Sequence, residues 1–345
     1  MAALRGQNGD NVPFTVYECF LYQCALEREL RNRGLCVVYR TRSYQTRYPN
    51  VKKVSRCYED ERGRQLTQTV YSTPLGDLSC LTEPAENTTW THEYLFKTPD
   101  DYKALLFLIN DTVLTPDYNA AARKAARLGP DFAVRDQIPY EPLQQLISGY
   151  MGTETYCYEW MDNRDEIMRL YDALVEVNRK IYRIVAEGPL EFANYGGNVT
   201  PSIIGAETFR KYYIPNYNEA CETLHKKGKL IGTHLDADNT LIMEDVAATG
   251  LDYIEAYDAG ISPPVNAARK AWPDKVLWLN WPSSWHLNTP ETVRAKTREL
   301  IRDAGTRDGL IIGITEDVPE ERLQCNFKAI MDGIDDISAS FLARK

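Results

Sequence analysis

The stretch KLIGTHLDADNTL, residues 229–241, sets one of the chain's four histidines at the end of a short apolar run, with aspartates at alternate positions after it. Imidazole exchanges protons near neutral pH and binds metals through either ring nitrogen. A carboxylate two residues further along extended backbone projects to the same side as the ring. His234 and Asp236 are therefore candidates for one catalytic or metal-binding group, with a buried, internally satisfied histidine as the alternative. Asp238 and Asn239 precede the helical pattern NTLIMEDV, where capping is the simpler role, since Asp and Asn satisfy free N–H groups at helix starts.

These residues need elements to carry them. From about residue 135 onward, short apolar segments alternate with amphipathic helices. Strands read at 152–160, 189–195, 229–234, 251–257, 276–280 and 309–314. Helices read at 165–187, 206–228, 239–250, 263–272, 289–305 and 319–334. In the first helix Ile167, Leu170, Leu174, Val177 and Ile181 recur at three- and four-residue spacing. Pro215 is expected to kink or break the second, and Gly228 to stop it. Such alternation predicts parallel βαβ units. With PFTVYE (13–18) and one further early strand, there are enough to close a (β/α)8 TIM barrel of the α/β class. The region 36–98 reads as hairpin strands instead, in CVVYRTRSYQT, LTQTVYSTPLG and LSCLTEP. We expect an N-terminal hairpin-rich insertion between the first and second barrel units, covering one mouth of a single domain of residues 1–345.

In such a barrel, reactive groups gather at the C-terminal ends of the strands. The expected strand ends supply Glu18, then Asn194, Tyr195 and Asn198, then His234, Asp236 and Asp238. Glu255 and Asp258, Asn280, and Thr315, Glu316 and Asp317 follow. This is a polar, mostly acidic ring without Arg or Lys. His234, Asp236 and Glu316 are the catalytic candidates. His234, Asp236, Glu255 and Glu316 could hold zinc or another divalent ion, because imidazole nitrogen and carboxylate oxygen both suit it and leave an open position. Without a metal, crowding should raise the pKa of at least one carboxylate. Asn194, Tyr195, Asn198, Tyr158, Tyr257 and Asn280 are the candidates for substrate contact. The rings of Tyr156, Tyr158, Trp160, Tyr195, Tyr257, Trp281 and Trp285 either stack on an aromatic substrate or pack the barrel rim.

A 43% share of hydrophobic residues implies a sizeable packed core. The net charge of −9 and a pI near 5.2 argue against nucleic acid or an anionic membrane as partner. No apolar run is long enough to span a bilayer, and MAALRGQNGDN lacks the apolar core of a signal peptide. Eight scattered cysteines without a CxxC pair read as reduced thiols. A cytoplasmic protein is expected.

The segment PLEFANYGGNVTPSIIGAETFRKYYIPNYNEACETLHKKGKLIGTHLDAD resembles the central signature of the uroporphyrinogen decarboxylase superfamily. There a strand, a short turn, a helix with an internal proline and a strand ending in His follow in that order. GLIIGITEDVPEERLQCNFKAI is similar to that superfamily's last βα unit, and the likeness covers residues 150–340. Its haem-synthesis decarboxylases carry an N-terminal motif with two arginines, which the corresponding NVPFTVYECFLYQ lacks. Its other branch contains methyltransferases that work with a corrinoid protein. Thiol-directed members bind zinc through HxC, and here HLD puts Asp236 where that cysteine would stand.

The resemblance therefore points to the corrinoid-dependent O-demethylases, whose zinc sites use Glu and His. It implies a divalent metal, zinc first, and transfer of a methyl group from a small methyl ether, aromatic ethers included, to cobalt. The chain has no DxHxxG-type corrinoid motif, so the cobalamin would arrive on a separate protein. Two alternatives remain. One is decarboxylation of a small cyclic or aromatic acid, weighed down by the missing cation at the strand ends. The other is a non-catalytic corrinoid- or substrate-binding accessory protein. The oligomeric state, a homodimer included, stays open.

Overall fold

The computed structural model describes residues 1–7, 9 and 11–342, with side chains through residue 337. Eight strands form its central wall: β1 (Phe14–Tyr17), β2 (Cys36–Thr41), β3 (Phe132–Tyr140), β4 (Phe192–Gly196), β5 (Leu230–His234), β6 (Tyr253–Asp258), β7 (Val276–Asn280) and β8 (Leu310–Ile314). They close in the order β1-β8-β7-β6-β5-β4-β3-β2. Closure falls on β1, whose Val16 lies opposite Ile314 on one side and Val37 on the other. Parallel pairing inside a jacket of helices makes this a (β/α)8 TIM barrel. Both faces of each strand are covered, so β7 and β8 are buried at every position.

Alternate residues fill the interior. Tyr17, Val38, Phe192, Leu230, Tyr253, Val276, Trp278 and Ile311 pack with Leu4 as one apolar cluster. Trp278 Nε1 donates to Thr15 Oγ1 at 2.9 Å, so the buried indole is satisfied from β1. All eight cysteines are free thiols. Among the described residues no helix is long and apolar enough to cross a membrane.

The chain divides into two units. The barrel unit comprises residues 1–42, 119–137 and 189–345. The other unit comprises residues 43–118 and 138–188. It holds a four-stranded antiparallel sheet (Lys52–Glu59, Gln65–Thr73, Gly76–Pro84, Thr89–Glu93) and the paired strands Tyr44–Arg47 and Val113–Pro116. The long helix Arg164–Glu187, expected from its periodicity, packs there against the helix Tyr102–Asn110.

Three expectations change. CVVYRT is not a hairpin strand but β2, parallel to β1 and β3, so the added strands begin only at Tyr44. GTETYCYEW is not a strand: Thr153–Asp162 is a helix. Its Thr and Tyr residues favour strands, but the stacking of Tyr156 on Trp160, four residues apart, suits a helix. The expected helix 206–228 is Pro201–Thr208, a π-helical turn at Phe209–Tyr213 and Ile214–His225. Pro215 opens that last segment. Its ring would clash with the carbonyl four residues earlier in a regular helix, and the wider π turn avoids this.

Candidate functional site

Tyr17 on β1, Arg135 on β3, His234 on β5 and Glu255 on β6 meet inside the barrel. Glu255 is fully buried, and Arg135 is only 2% exposed. Arg135 Nη1 donates to Glu255 Oε1, and Nη2 donates to the Tyr17 hydroxyl at 3.1 Å. Glu255 Oε2 lies 3.3 Å from His234 Nδ1, and the Tyr17 hydroxyl 3.4 Å from the same nitrogen. At the opposite edge of the ring, Nε2 is 3.5 Å from Asp236 Oδ2. This is an ion-pair distance, longer than a good hydrogen bond.

The imidazole thus sits between two carboxylates. Burial alone would depress its pKa, but hydrogen bonds and charge from Asp236 and Glu255 outweigh burial and raise it to about 9. Burial would push Glu255 up, yet Arg135 and His234 bring it down to about 2. Asp236 is lowered too, because His234 offsets its burial. Burial drives Asp258 the other way, reinforced by the charges of Glu316 and Asp236. Asp258 lies outside the nominated set and burial is its first cause, whereas Asp236 and Glu255 within the set are lowered, so crowding does not raise either of them as expected.

Two local devices place these groups. Between Glu255 and Tyr257 the β6–β7 register shifts, and Ala256 takes φ 60°. Such a bulge adds one residue and reverses the alternation of side chains beyond it. Asp258 is thereby set opposite Asn280, while Tyr257 turns to Trp272, at a centroid distance of 5.6 Å, and donates to Pro263 O at 2.6 Å. The second device is Gly197. A Cβ there would stand 1.5 Å from His234 O, so the loop after β4 can lie directly on the end of β5 only with glycine.

The structure brings His234, Asp236 and Glu255 together, and the other nominated residues have surroundings of their own. Glu316 accepts from the Ser283 hydroxyl. Asn194 is buried on β4, with Nδ2 donating to Tyr195 O at 3.2 Å. Tyr195 packs edge-on against Tyr217 on a surrounding helix. Asn198 is exposed, and Tyr158, 64% exposed, lies on the helix Thr153–Asp162 of the second unit. Asn280 accepts from Thr315 N and Oγ1. Asp238 accepts from Thr240 N at 3.0 Å, two residues on, while the N-cap of the short helical turn Thr240–Ile242 is Asn239, whose side chain makes no cap bond.

Three participants were missed: Tyr17, Arg135 and Arg40. Arg40 Nε lies 3.1 Å from Glu18, and its guanidinium sits 4.2 Å over the Tyr17 ring. The strand ends therefore do carry cations, contrary to expectation. The available signal was the apolar run FAV after the turn-forming pair Gly129–Pro130, which starts β3.

As a metal site the nominated set does not fit. His234 turns its two nitrogens to different carboxylates, Arg135 occupies Glu255, and Glu316 is engaged by Ser283. Among the described residues no three or more His, Cys, Asp or Glu are grouped to hold an ion.

In comparisons with known proteins, residues 139–336 match the uroporphyrinogen decarboxylase (URO-D) family. No curated protein matches the sequence. Among solved structures, a methyltransferase from Methanosarcina mazei is similar, with 13% identity over 75% of each chain and a TM-score of 0.51. The pneumococcal virulence factor StrH aligns over 97% of this chain and 86% of its own, at 11% identity and a TM-score of 0.41. A sugar phosphate isomerase/epimerase from Parabacteroides distasonis aligns over 95% and 94%, at 12% identity and a TM-score of 0.38. The family match takes in β4 to β8, the strands that carry His234, Glu255 and Asp258, and the chain belongs to the uroporphyrinogen decarboxylase (URO-D) family.

Proposed function

We propose that the protein is a methyltransferase that takes a methyl group from a small methyl ether, aromatic ethers included, and passes it to the cobalt of a corrinoid carried by a separate protein. The carrying observation is His234, held as an imidazolium between Glu255 and Asp236 at the end of β5. Ether cleavage leaves the bonding electron pair on oxygen, and an alkoxide or phenoxide is a poor leaving group. A proton from His234 Nε2 to that oxygen releases a neutral alcohol or phenol. An acid of pKa about 9 lies close to a phenol's own value, which favours transfer as the C–O bond breaks. Asp236 then faces a neutral ring and can guide its reprotonation from solvent. The corrinoid, when delivered, supplies the nucleophile that accepts the methyl group. In this reading no step is assigned to a metal ion. Family membership and the barrel shared with the M. mazei methyltransferase are consistent with this reading.

A second reading, decarboxylation of a small cyclic or aromatic acid, is favoured by one observation: Arg40, partly exposed at the end of β2, could pair with a carboxylate. His234 would then protonate the carbanion left by CO2. One assay separates the two. Purified protein is incubated with cob(I)alamin and a panel of methyl ethers, and in parallel with the corresponding acids while CO2 is measured. Methylcobalamin formation is expected, and His234→Ala should lower its rate by about 10²–10⁴-fold. Full turnover in a folded His234→Ala variant, or CO2 release without methyl transfer, overturns the proposal.

A further inference from the structure

We propose that Arg135 and Tyr17 are positioning residues that hold Glu255 against Nδ1 of His234, leaving Nε2 as the atom that gives up its proton. The proposal rests on the reading of His234 as the acid. Both residues are buried, Arg135 at 2% and Tyr17 at 3% exposure.

Nδ1 has two acceptors within reach, Glu255 Oε2 at 3.3 Å and the Tyr17 hydroxyl at 3.4 Å. A carboxylate is the stronger acceptor, provided it stays ionised. Glu255 has no exposed surface, and burial by itself would protonate it. The Arg135 guanidinium on Oε1 prevents that, leaving Oε2 for the ring. The Tyr17 hydroxyl closes the arrangement by accepting from Arg135 Nη2 and giving its own proton to Glu255. Its competition for Nδ1 is thereby removed. The groups facing the ring are Tyr17 from β1, Asp236 from the loop after β5 and Glu255 from β6. Arg135 reaches it from β3 through Glu255. When Nε2 releases its proton, Nδ1–H stays bound to Glu255, and the neutral ring is held as the Nδ1–H tautomer, ready to be reprotonated at Nε2. If Glu255 were neutral, the ionised Asp236 beside Nε2 would be the stronger acceptor left, and the Nδ1–H tautomer would lose its preference.

The test uses the full chain labelled with 15N-histidine, without substrate. The ring-nitrogen shifts of His234, assigned by its loss in His234→Gln, are followed from pH 6 to pH 10. Wild type should show a doubly protonated ring at neutral pH and a single Nδ1–H tautomer once it titrates. In Arg135→Met the titration should move down by ~1 pH unit or more and the tautomers should mix. Arg135→Lys, which restores the charge, should recover most of the shift. Tyr17→Phe, a milder change, should keep the charge state but lower the tautomer ratio, which covers the case in which Arg135→Met does not fold. His234 unchanged in both titration and tautomer in folded Arg135→Met, or, where that variant does not fold, an unchanged tautomer ratio in Tyr17→Phe, overturns the proposal. Wild-type protein that shows the expected ring behaviour but transfers no methyl group would remove the proposed function and leave the positioning role standing.

Discussion

At the scale of the residue, the buried ion pairs make the fold pH-dependent in a definite sense. His234 moves from an ordinary value of 6.5 to about 9, so its pairing stabilises the folded state fully below pH 6.5 and is lost as pH rises through 9. Glu255 moves from 4.5 to about 2, so its contribution is full above pH 4.5 and is lost as pH falls through 2. Urea unfolding of wild type should therefore weaken on the alkaline side, by on the order of 3 kcal/mol between pH 6 and 9. His234→Gln should lack this limb. A wild-type curve flat from pH 6 to 9 would contradict the pairing. The sequence showed His234, Asp236 and Glu255 as strand-end groups, because period-two geometry alone sets their side. It did not show Arg135, because a single arginine inside an apolar run does not reveal which strand it will face.

At the scale of the element, position depends on short irregularities in otherwise regular strands. The bulge at Ala256 separates the fates of Tyr257 and Asp258, and nothing in LDYIEAYD marks the extra residue. Gly197 is a firmer constraint, since the carbonyl of His234 occupies the space where its Cβ would go. Gly197→Ala should cost about 1–3 kcal/mol in thermal or urea unfolding, as overpacking does. It should also reduce activity beyond the loss of folded protein, because the displaced group is the backbone of His234. Wild-type activity and stability in that variant would show that the close approach is unimportant. The helix before β5 carries the third irregularity, a π turn that admits Pro215 without a loop.

At the scale of the whole molecule, the four residues of β1 join β8 to β2, so an N-terminal strand closes a barrel otherwise completed at the far end of the chain. Removing residues 1–18 would expose the pairing edges of β2 and β8 and delete Tyr17 from the interior. Such a truncated chain should lose cooperative unfolding and aggregate at concentrations where the full chain stays in solution. A cooperative transition with a wild-type midpoint would show that closure contributes little.

Amphipathic period and turn residues were enough to determine the parallel βα succession from β4 onward, the resulting barrel, and the ends at which His234, Asp236 and Glu255 would emerge. These are local properties, repeated at each unit, so each can be read without knowing its neighbours. The membership of β2 in the barrel, the helical state of Thr153–Asp162 and the sorting of residues into two units were decided only in three dimensions. So was the pairing of Arg135 with Glu255, 120 residues apart. A buried charge is tolerable only beside its counter-charge, and which two charges become neighbours is set by barrel closure rather than by any local stretch of chain.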